Sequence, residues 1–294
     1  MKQCMLVVNP QSGKQAIHHL LFKIVQRLST EGYIVTVYPT AYSGHAIELV
    51  ERFSNAYDIL IACGGDGTLN EVVNGLMRAP KVIPLGYIPM GTTNDFARTL
   101  QLSLQPMVAL NTILKGSPHP FDIGTFNERY FLYVSAFGAF ADVSYLTPQP
   151  MKNLLGKFAY FVEGLKKIPD LKNVHRFHIE VDGKTYEDEY AFVSVSNSLS
   201  LGGIVQFDPK DLSLHDGFFE LMLIKMPSTP AHLQKIMAGL FNHEYDKRYI
   251  HFIHGKSFHI HAPQSIPWTI DGEAGGWHES VHIKVVPQKL ELVY

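Results

Sequence analysis

A chain of 294 residues exceeds the usual size of one domain, so one large or two modest domains are expected. Hydrophobic residues make up 46% and charged residues 18%, a globular balance that excludes a disordered or fibrous chain. A formal net charge of −2 excludes a global positive field, and with it nucleic acid as a partner.

Only two cysteines occur, Cys4 and Cys63, each inside a run that reads as a buried strand. Distant thiols in such a chain read as reduced core residues of a cytoplasmic protein rather than as a disulfide framework. The first residues lack the apolar region of a signal peptide. No stretch reaches the ~18 apolar residues that a membrane span needs. A soluble protein is expected.

Along the first 120 residues, short apolar runs alternate with helical stripes. Cys4 to Val8 reads as a strand, and Ile17, Leu20, Leu21, Ile24, Val25 and Leu28 recur at helical spacing. Tyr33 to Tyr38 is a second strand; Ile47, Val50 and Phe53 mark a second helix. Ile59 to Cys63 is a third strand, followed by a stripe of Leu69, Val72, Val73, Leu76 and Met77. Val82 to Pro89 reads as a fourth strand and Asn94 to Leu100 as a short helix. Such alternation with buried strands predicts α/β architecture, a parallel sheet covered by helices.

Beyond Asp122 the rhythm changes. Arg129 to Phe137, Phe177 to Val181, Thr185 to Val195, Phe218 to Ile224 and Tyr249 to Tyr294 are strand-like. Val-Asp-Gly-Lys at 181–184 carries the Asp-Gly signature of a tight hairpin. Leu154 to Ile168, and the stripe of Leu233, Ile236, Met237, Leu240 and Phe241, predict two helices. The second half is expected to be an antiparallel β-sandwich.

Three loops carry candidate chemistry. Gly64-Gly65-Asp66-Gly67-Thr68 falls between a strand and a helix. Glycines there let the backbone approach a ligand closely and adopt positive φ. The helix start adds unpaired N–H groups and the positive end of its dipole. A capped tight turn is the plainer alternative. The loop is not a Walker loop, and Asn70 stands where a dinucleotide fingerprint has its third glycine. The carboxylate of Asp66 facing phosphate would be repelled by about 1 kcal/mol per charge pair at ~4 Å in water. A bridging Mg²⁺ reverses that sign, which points to metal-dependent chemistry on ATP. The second loop, Gly91-Thr92-Thr93-Asn94-Asp95 with Arg98 beyond it, follows the next strand in the same way. Asp95 and Arg98 are expected to form a charged pair near the ligand. The third is Asn9-Pro10-Gln11-Ser12-Gly13-Lys14, whose lysine could neutralise a phosphate at the same sheet edge. Near the C-terminus, Asp271-Gly272-Glu273 offers a carboxylate that could act as general base.

Taken together, these segments resemble the diacylglycerol kinase catalytic-domain family, in its soluble Gram-positive bacterial branch. Asn9–Lys14, Gly64–Thr68 with Asn70-Glu71, Gly91–Arg98, Phe121-Asp122-Ile123-Gly124, Asn197 with Gly202-Gly203, Asp216-Gly217 and Asp271–Glu273 carry the resemblance over nearly the whole chain. It implies an ATP-binding α/β domain over 1–122, to which residues 288–294 return, and a lipid-binding β-sandwich over 123–287. ATP and lipid would meet in the cleft between them. It implies that Asn9, Lys14, Gly64, Gly65, Asp66, Gly67, Thr68, Gly91, Thr92, Thr93 and Asn94 serve ATP, with Asp66 and Thr68 also serving the metal and Asp66 acting in catalysis. It further implies that Asp95, Arg98 and Asp122 organise substrate and a water–metal network. Asp216 would hold a structural Mg²⁺, and Glu273, helped by Asp271, would activate the lipid hydroxyl. The implied role is phospholipid metabolism by a cytoplasmic protein at the membrane periphery; a homodimer is left open. Two positions depart from the family pattern: His215 stands where an acidic residue is usual, and Phe218 where tyrosine is frequent.

Diacylglycerol, a sphingoid base, ceramide, phosphatidylglycerol and undecaprenol all stay open as acceptors. Rival readings are a kinase of a soluble hydroxyl compound such as NAD, and a nucleotide-binding regulator without turnover. The face of Met151, Leu154, Leu155, Phe158, Phe161, Val162, Leu165 and Ile168, with Lys152, Lys157, Lys166 and Lys167 around it, reads as a core-facing or a membrane-surface helix. Among the 15 histidines, His259 and His261 share one strand face and read as solvated; no zinc site is expected.

Overall fold

The computed structural model describes residues 1–15, 17–138, 176–198, 200–201, 205–206 and 213–294, omitting the side chains of residues 14, 15, 200, 201, 205, 206 and 241. The predicted helix at 154–168, its flanking lysines and Gly202-Gly203 lie outside the described residues. The chain forms two compact units. The first comprises residues 1–123, 130–132 and 287–294, and the second residues 124–129 and 133–286.

The first unit is a parallel sheet between helices. Its strands are β1 (Lys2–Val8), β2 (Tyr33–Pro39), β3 (Ile59–Gly64) and β4 (Leu85–Pro89), and β1 lies between β2 and β3 with β4 beyond. Helices α1 (Ile17–Thr30), α2 (His45–Phe53), α3 (Asp66–Arg78), α4 (Asp95–Thr99) and α5 (Pro106–Lys115) connect them. Successive strand residues point to opposite faces, so β1 sends Cys4, Leu6 and Val8 one way and Met5 and Val7 the other. The first set packs with Ile59, Ile61 and Cys63 of β3 against Ile17, Ile24 and Leu28 of α1 and Leu110 and Ile113 of α5. Burying so continuous an apolar surface on both faces is what stabilises a parallel sheet.

Two details differ from the pattern. The fourth strand starts at Leu85 rather than Val82, because Pro84 has no N–H for the ladder. Helix α5 escaped the reading of the sequence, although Pro106 at its first turn and Ala109, Leu110 and Ile113 at helical spacing were its signals.

The second unit is antiparallel. Its strands are β5 (Pro118–Phe126), β6 (Arg129–Phe131), β7 (Val134–Gly138), β8 (Phe177–Val181), β9 (Lys184–Asp188), β10 (Tyr190–Ser196), the short β11 (Ser200–Leu201) and β12 (Val205–Gln206), β13 (Phe219–Lys225), β14 (Ile250–Gly255), β15 (Ser257–Ile270) and β16 (Glu273–Val293), with helix α6 at Pro230–Asn242. β5 and β6 begin or end in the first unit. The order β14-β13-β10-β7-β15-β16 makes one layer. β15 changes partner along its length: Phe258 to His261 pair with β8, whereas Thr269 and Ile270 pair with β7. An irregularity between His261 and Ile266 makes the change possible. Phe137 of β7 stacks on Phe177 of β8 at 4.9 Å and meets Trp268 edge-on at 4.8 Å, filling the space between the layers. α6 adds Ile236, Met237 and Leu240 against Phe192, Met222 and Ile224.

The Asp-Gly hairpin forms as expected, with Asp182 at φ 48° and Gly183 at φ 82° between the paired Val181 and Lys184. The run from Thr185 to Val195 divides at Glu189 into β9 and β10. β16 crosses from one unit to the other, and its Leu292 pairs in parallel with Leu85 of β4.

Candidate active site

Within the first unit, the carboxyl ends of β1, β3 and β4 each lead into one of the three singled-out loops. Their contact is backbone on backbone. A Cβ at Gly91 would lie 2.6 Å from the Cα of Gly65, and one at Gly65 would lie 3.2 Å from the Cα of Gly91. At Gly64 a Cβ would meet Thr68 Oγ1 at 2.5 Å. These glycines permit close approach; none of the three has a positive φ, contrary to the expectation for the loop. The left-handed residue is Asn94, at φ 49° and ψ 51°. Its side chain accepts from Gly91 N at 2.8 Å and donates to Gly91 O at 2.9 Å, closing the second loop on itself.

Asp66 joins the loops. Its carboxylate accepts from Asp95 N at 3.0 Å and from Phe96 N at 3.2 Å, capping the start of α4. Met90 N donates to Gly64 O at 2.7 Å, a second tie. Gly65, at the N-cap of α3, has no side chain to satisfy the helix's first N–H groups, so the 13-residue helix presents them with the positive end of its dipole. Asn9 extends the cradle, donating through Nδ2 to Thr68 Oγ1 at 3.0 Å while its Oδ1 accepts from Gln11 N. Lys14 lies in a 3-10 turn, Ser12–Gln15. Thr92 and Thr93 are exposed. Arg98 turns its Nε to Thr93 O at 2.9 Å, and burial raises the pKa of Asp95 although the charge of Arg98 opposes it.

Asp122 is fully buried and accepts from Gln288 N at 2.6 Å, so in the first unit it holds the returning end of β16. Two residues of α3 to which the sequence assigned no role hold backbone in place. Glu71 accepts from Gly44 N at 2.7 Å and Ala46 N at 3.3 Å, tying the loop before α2 to α3. Asn74 exchanges hydrogen bonds with both backbone groups of Tyr130, at 2.9 and 3.0 Å. Both sit in Asn-Glu-Val-Val-Asn, where polar residues punctuate an otherwise apolar helix face; that was the available signal.

The remaining candidates belong to the second unit. Asp271 (φ 49°) and Gly272 (φ 79°) form the two-residue turn between β15 and β16, with Ile270 and Glu273 paired across it. The buried carboxylate of Asp271 accepts from Tyr133 N at 3.0 Å and Val134 N at 3.2 Å. Glu273, two residues on, is exposed. Asp216 accepts from Phe218 N at 3.0 Å in a local turn, and the Phe218 ring lies 4.5 Å beneath Lys256 Nζ. Four residues beyond Asp216, burial and the Asp216 charge push the Glu220 carboxyl up to about 8. His259 reaches Ser280 Oγ at 3.0 Å.

Among the described residues, no group of three or more His, Cys, Asp or Glu side chains could hold a metal ion by itself. The carboxylate of Asp66, held beside the backbone of Asp95, is the kind of donor that suits Mg²⁺ arriving with a nucleotide. That ion takes one or two carboxylates and completes its octahedron with phosphate oxygens and water. No helix among the described residues is long and apolar enough to cross a membrane.

An α/β unit with paired glycine loops and an antiparallel β-sandwich unit define a fold of the NAD kinase-like class. Residues 3–126 match the diacylglycerol kinase catalytic domain, and residues 134–294 match the YegS C-terminal NAD kinase beta sandwich-like domain. The chain is similar to a diacylglycerol kinase of Bacillus subtilis strain 168, 31% identical over 99% of each chain. One from Staphylococcus aureus strain Newman is 37% identical over 94% of this chain and 87% of its own. A crystal structure of a diacylglycerol kinase from Bacillus anthracis strain Sterne superposes with a TM-score of 0.76 at 26% identity, covering 100% of this chain and 97% of that one. The chain belongs to the diacylglycerol kinase family, and its relatives indicate a kinase.

Proposed function

We propose that the chain transfers the γ-phosphoryl group of ATP to the hydroxyl of diacylglycerol, giving phosphatidic acid. The observation that carries this reading is the packing of Gly65 on Gly91 beside the open N-terminus of α3. Backbone that can be approached this closely, with uncommitted N–H donors next to it, suits a chain of phosphates. Gly64, Gly65, Gly67, Thr68 and Asn9 would line the phosphates, with Gly91, Thr92, Thr93 and Asn94 opposite and Lys14 adding charge. Mg²⁺ bound with ATP would neutralise phosphate charge and stabilise what develops during transfer. Asp66 and Asp95 would hold that ion. Asp216 and carbonyls of its turn would hold a second, structural one.

Exposed at the start of β16, Glu273 takes the proton from the attacking lipid hydroxyl. As the new O–P bond forms, the bond from the γ-phosphorus to the bridging oxygen breaks and ADP leaves. Asp271, held by two backbone donors, fixes the turn that carries Glu273. The acceptor is reached at the bilayer surface, so the protein works as a peripheral cytoplasmic enzyme.

The test is transfer from labelled ATP with Mg²⁺ to a panel of lipids in mixed micelles. Label is expected in phosphatidic acid. Glu273→Gln should lower kcat by roughly 10²- to 10⁴-fold and leave ADP affinity unchanged. Transfer to NAD or a sugar and to no lipid would overturn the reading.

A further inference from the structure

Tyr87 sits in β4, whose other side chains are apolar, and only 3% of it is exposed. A phenylalanine would fill the same volume without burying a hydroxyl, which costs free energy unless it is hydrogen-bonded. The ring packs on Phe96 with centroids 6.2 Å apart, and Phe96 meets Phe121 edge-on at 5.5 Å. So held, the hydroxyl lies 3.3 Å from Gly64 O and 3.4 Å from Asn94 Oδ1. Gly64 ends β3 before the first glycine loop, and Asn94 closes the second.

Neither acceptor needs this proton to be satisfied. Gly64 O already accepts from Met90 N at 2.7 Å, and Asn94 Oδ1 from Gly91 N at 2.8 Å. What the hydroxyl adds is a shared link between them. Burial, with the nearby carboxylates of Asp66 and Asp95, pushes the phenol above its ordinary range, so it stays a donor.

We infer that Tyr87 is a positioning residue whose single proton, divided between Gly64 O and Asn94 Oδ1, sets the spacing of the two phosphate loops. The inference rests on the proposed nucleotide site. Tyr87 touches neither phosphate nor lipid; it acts through the loops. Its loss should therefore appear in nucleotide binding and leave the lipid KM and the proton transfer at Glu273 unchanged.

The test compares Tyr87→Phe, which removes only the hydroxyl, with Tyr87→Leu, which also removes the ring. ADP–Mg²⁺ affinity is read by calorimetry, KM for ATP and kcat by label transfer, and Tm by scanning calorimetry. Tyr87→Phe should weaken ADP and raise KM for ATP by roughly three- to tenfold, the effect of one shared hydrogen bond, with kcat within about twofold. Tyr87→Leu should add a loss of Tm. Wild-type ADP affinity in Tyr87→Phe would overturn the inference. So would a deficit that vanishes on lowering the assay temperature, since that would be a stability effect alone. Failure of the wild-type protein to bind ADP would sink the nucleotide reading and this inference with it, whereas binding without lipid transfer would leave this inference standing.

Discussion

Substituting Gly91 by alanine asks how tightly the two loops must pack. The added methyl would sit 2.6 Å from the Cα of Gly65 and 2.8 Å from Asn94 Oδ1. Ordinary contact begins near 3.4 Å, so the loops must separate by about 0.8 Å. Neither neighbour can rotate away. One is backbone, and the other is held by Gly91 N, 2.8 Å from the same oxygen. Overpacking of this kind costs about 1–3 kcal/mol, or roughly 2–10 °C in Tm for a chain of this length. Moving the Gly91 loop also displaces Asp95 N and Phe96 N from Asp66, so ADP–Mg²⁺ affinity should fall by about tenfold or more. Gly65→Ala is the graded control: its methyl meets Gly91 Cα at 3.2 Å and needs a shift of only ~0.2 Å. Its losses should be clearly smaller in both assays. If Gly91→Ala kept wild-type affinity and Tm, or Gly65→Ala were the more damaged, close packing of the loops would not be what the glycines provide.

Other perturbations separate roles that look alike in sequence. Asp271→Ala leaves two backbone donors without their acceptor and should cost about 2–4 kcal/mol in urea unfolding, while Glu273→Gln leaves stability within ~0.5 kcal/mol. Asn94→Gly keeps the left-handed conformation and loses only the amide, so it should unfold at a higher temperature than Asn94→Ala, which loses both. The Glu220 carboxyl ionises near 8 in the folded chain, against 4.5 for its ordinary value. It is protonated in both states below pH 4.5, where its contribution is fully present; the unfolded state ionises first, so that contribution is lost as pH rises to about 8. Glu220→Gln should flatten this part of the Tm–pH curve, and an unchanged slope would refute the assignment. Burial pushes the thiols of Cys4 and Cys63 up to about 12, so neither should react with a thiol reagent at pH 8 until the protein is unfolded.

The elements written in one local pattern were legible. Strands β1 and β3 are unbroken apolar runs, and α1 and α3 have one clean stripe each, so periodicity alone located them. The Asp-Gly pair at 182–183 named its own turn, because both residues must take positive φ. What stayed hidden is relational. Nothing local says that Gly65 lies on Gly91, that Asp66 receives hydrogen bonds from the backbone 29 and 30 residues on, or that Glu71 caps a loop 27 residues back. Asp-Gly-Glu does not say which distant groups its carboxylates meet; a pair of donors from Tyr133 and Val134 makes Asp271 structural, and Glu273 is exposed. Helix α5 was overlooked because its stripe is short and follows Pro106, a residue more often read as a break than as a start.

The strand shared by both units bears on how the protein is made. During synthesis, residues 1–123 leave the ribosome more than 160 residues before 287–294, which supply a partner for Leu85. Until then β4 presents an unpaired edge of the kind that recruits other chains. Asp122 receives the hydrogen bond of Gln288 N only once that segment has returned. The N-terminal unit is thus an early product that matures last, and trimming residues 287–294 should leave the edge of β4 open to aggregation.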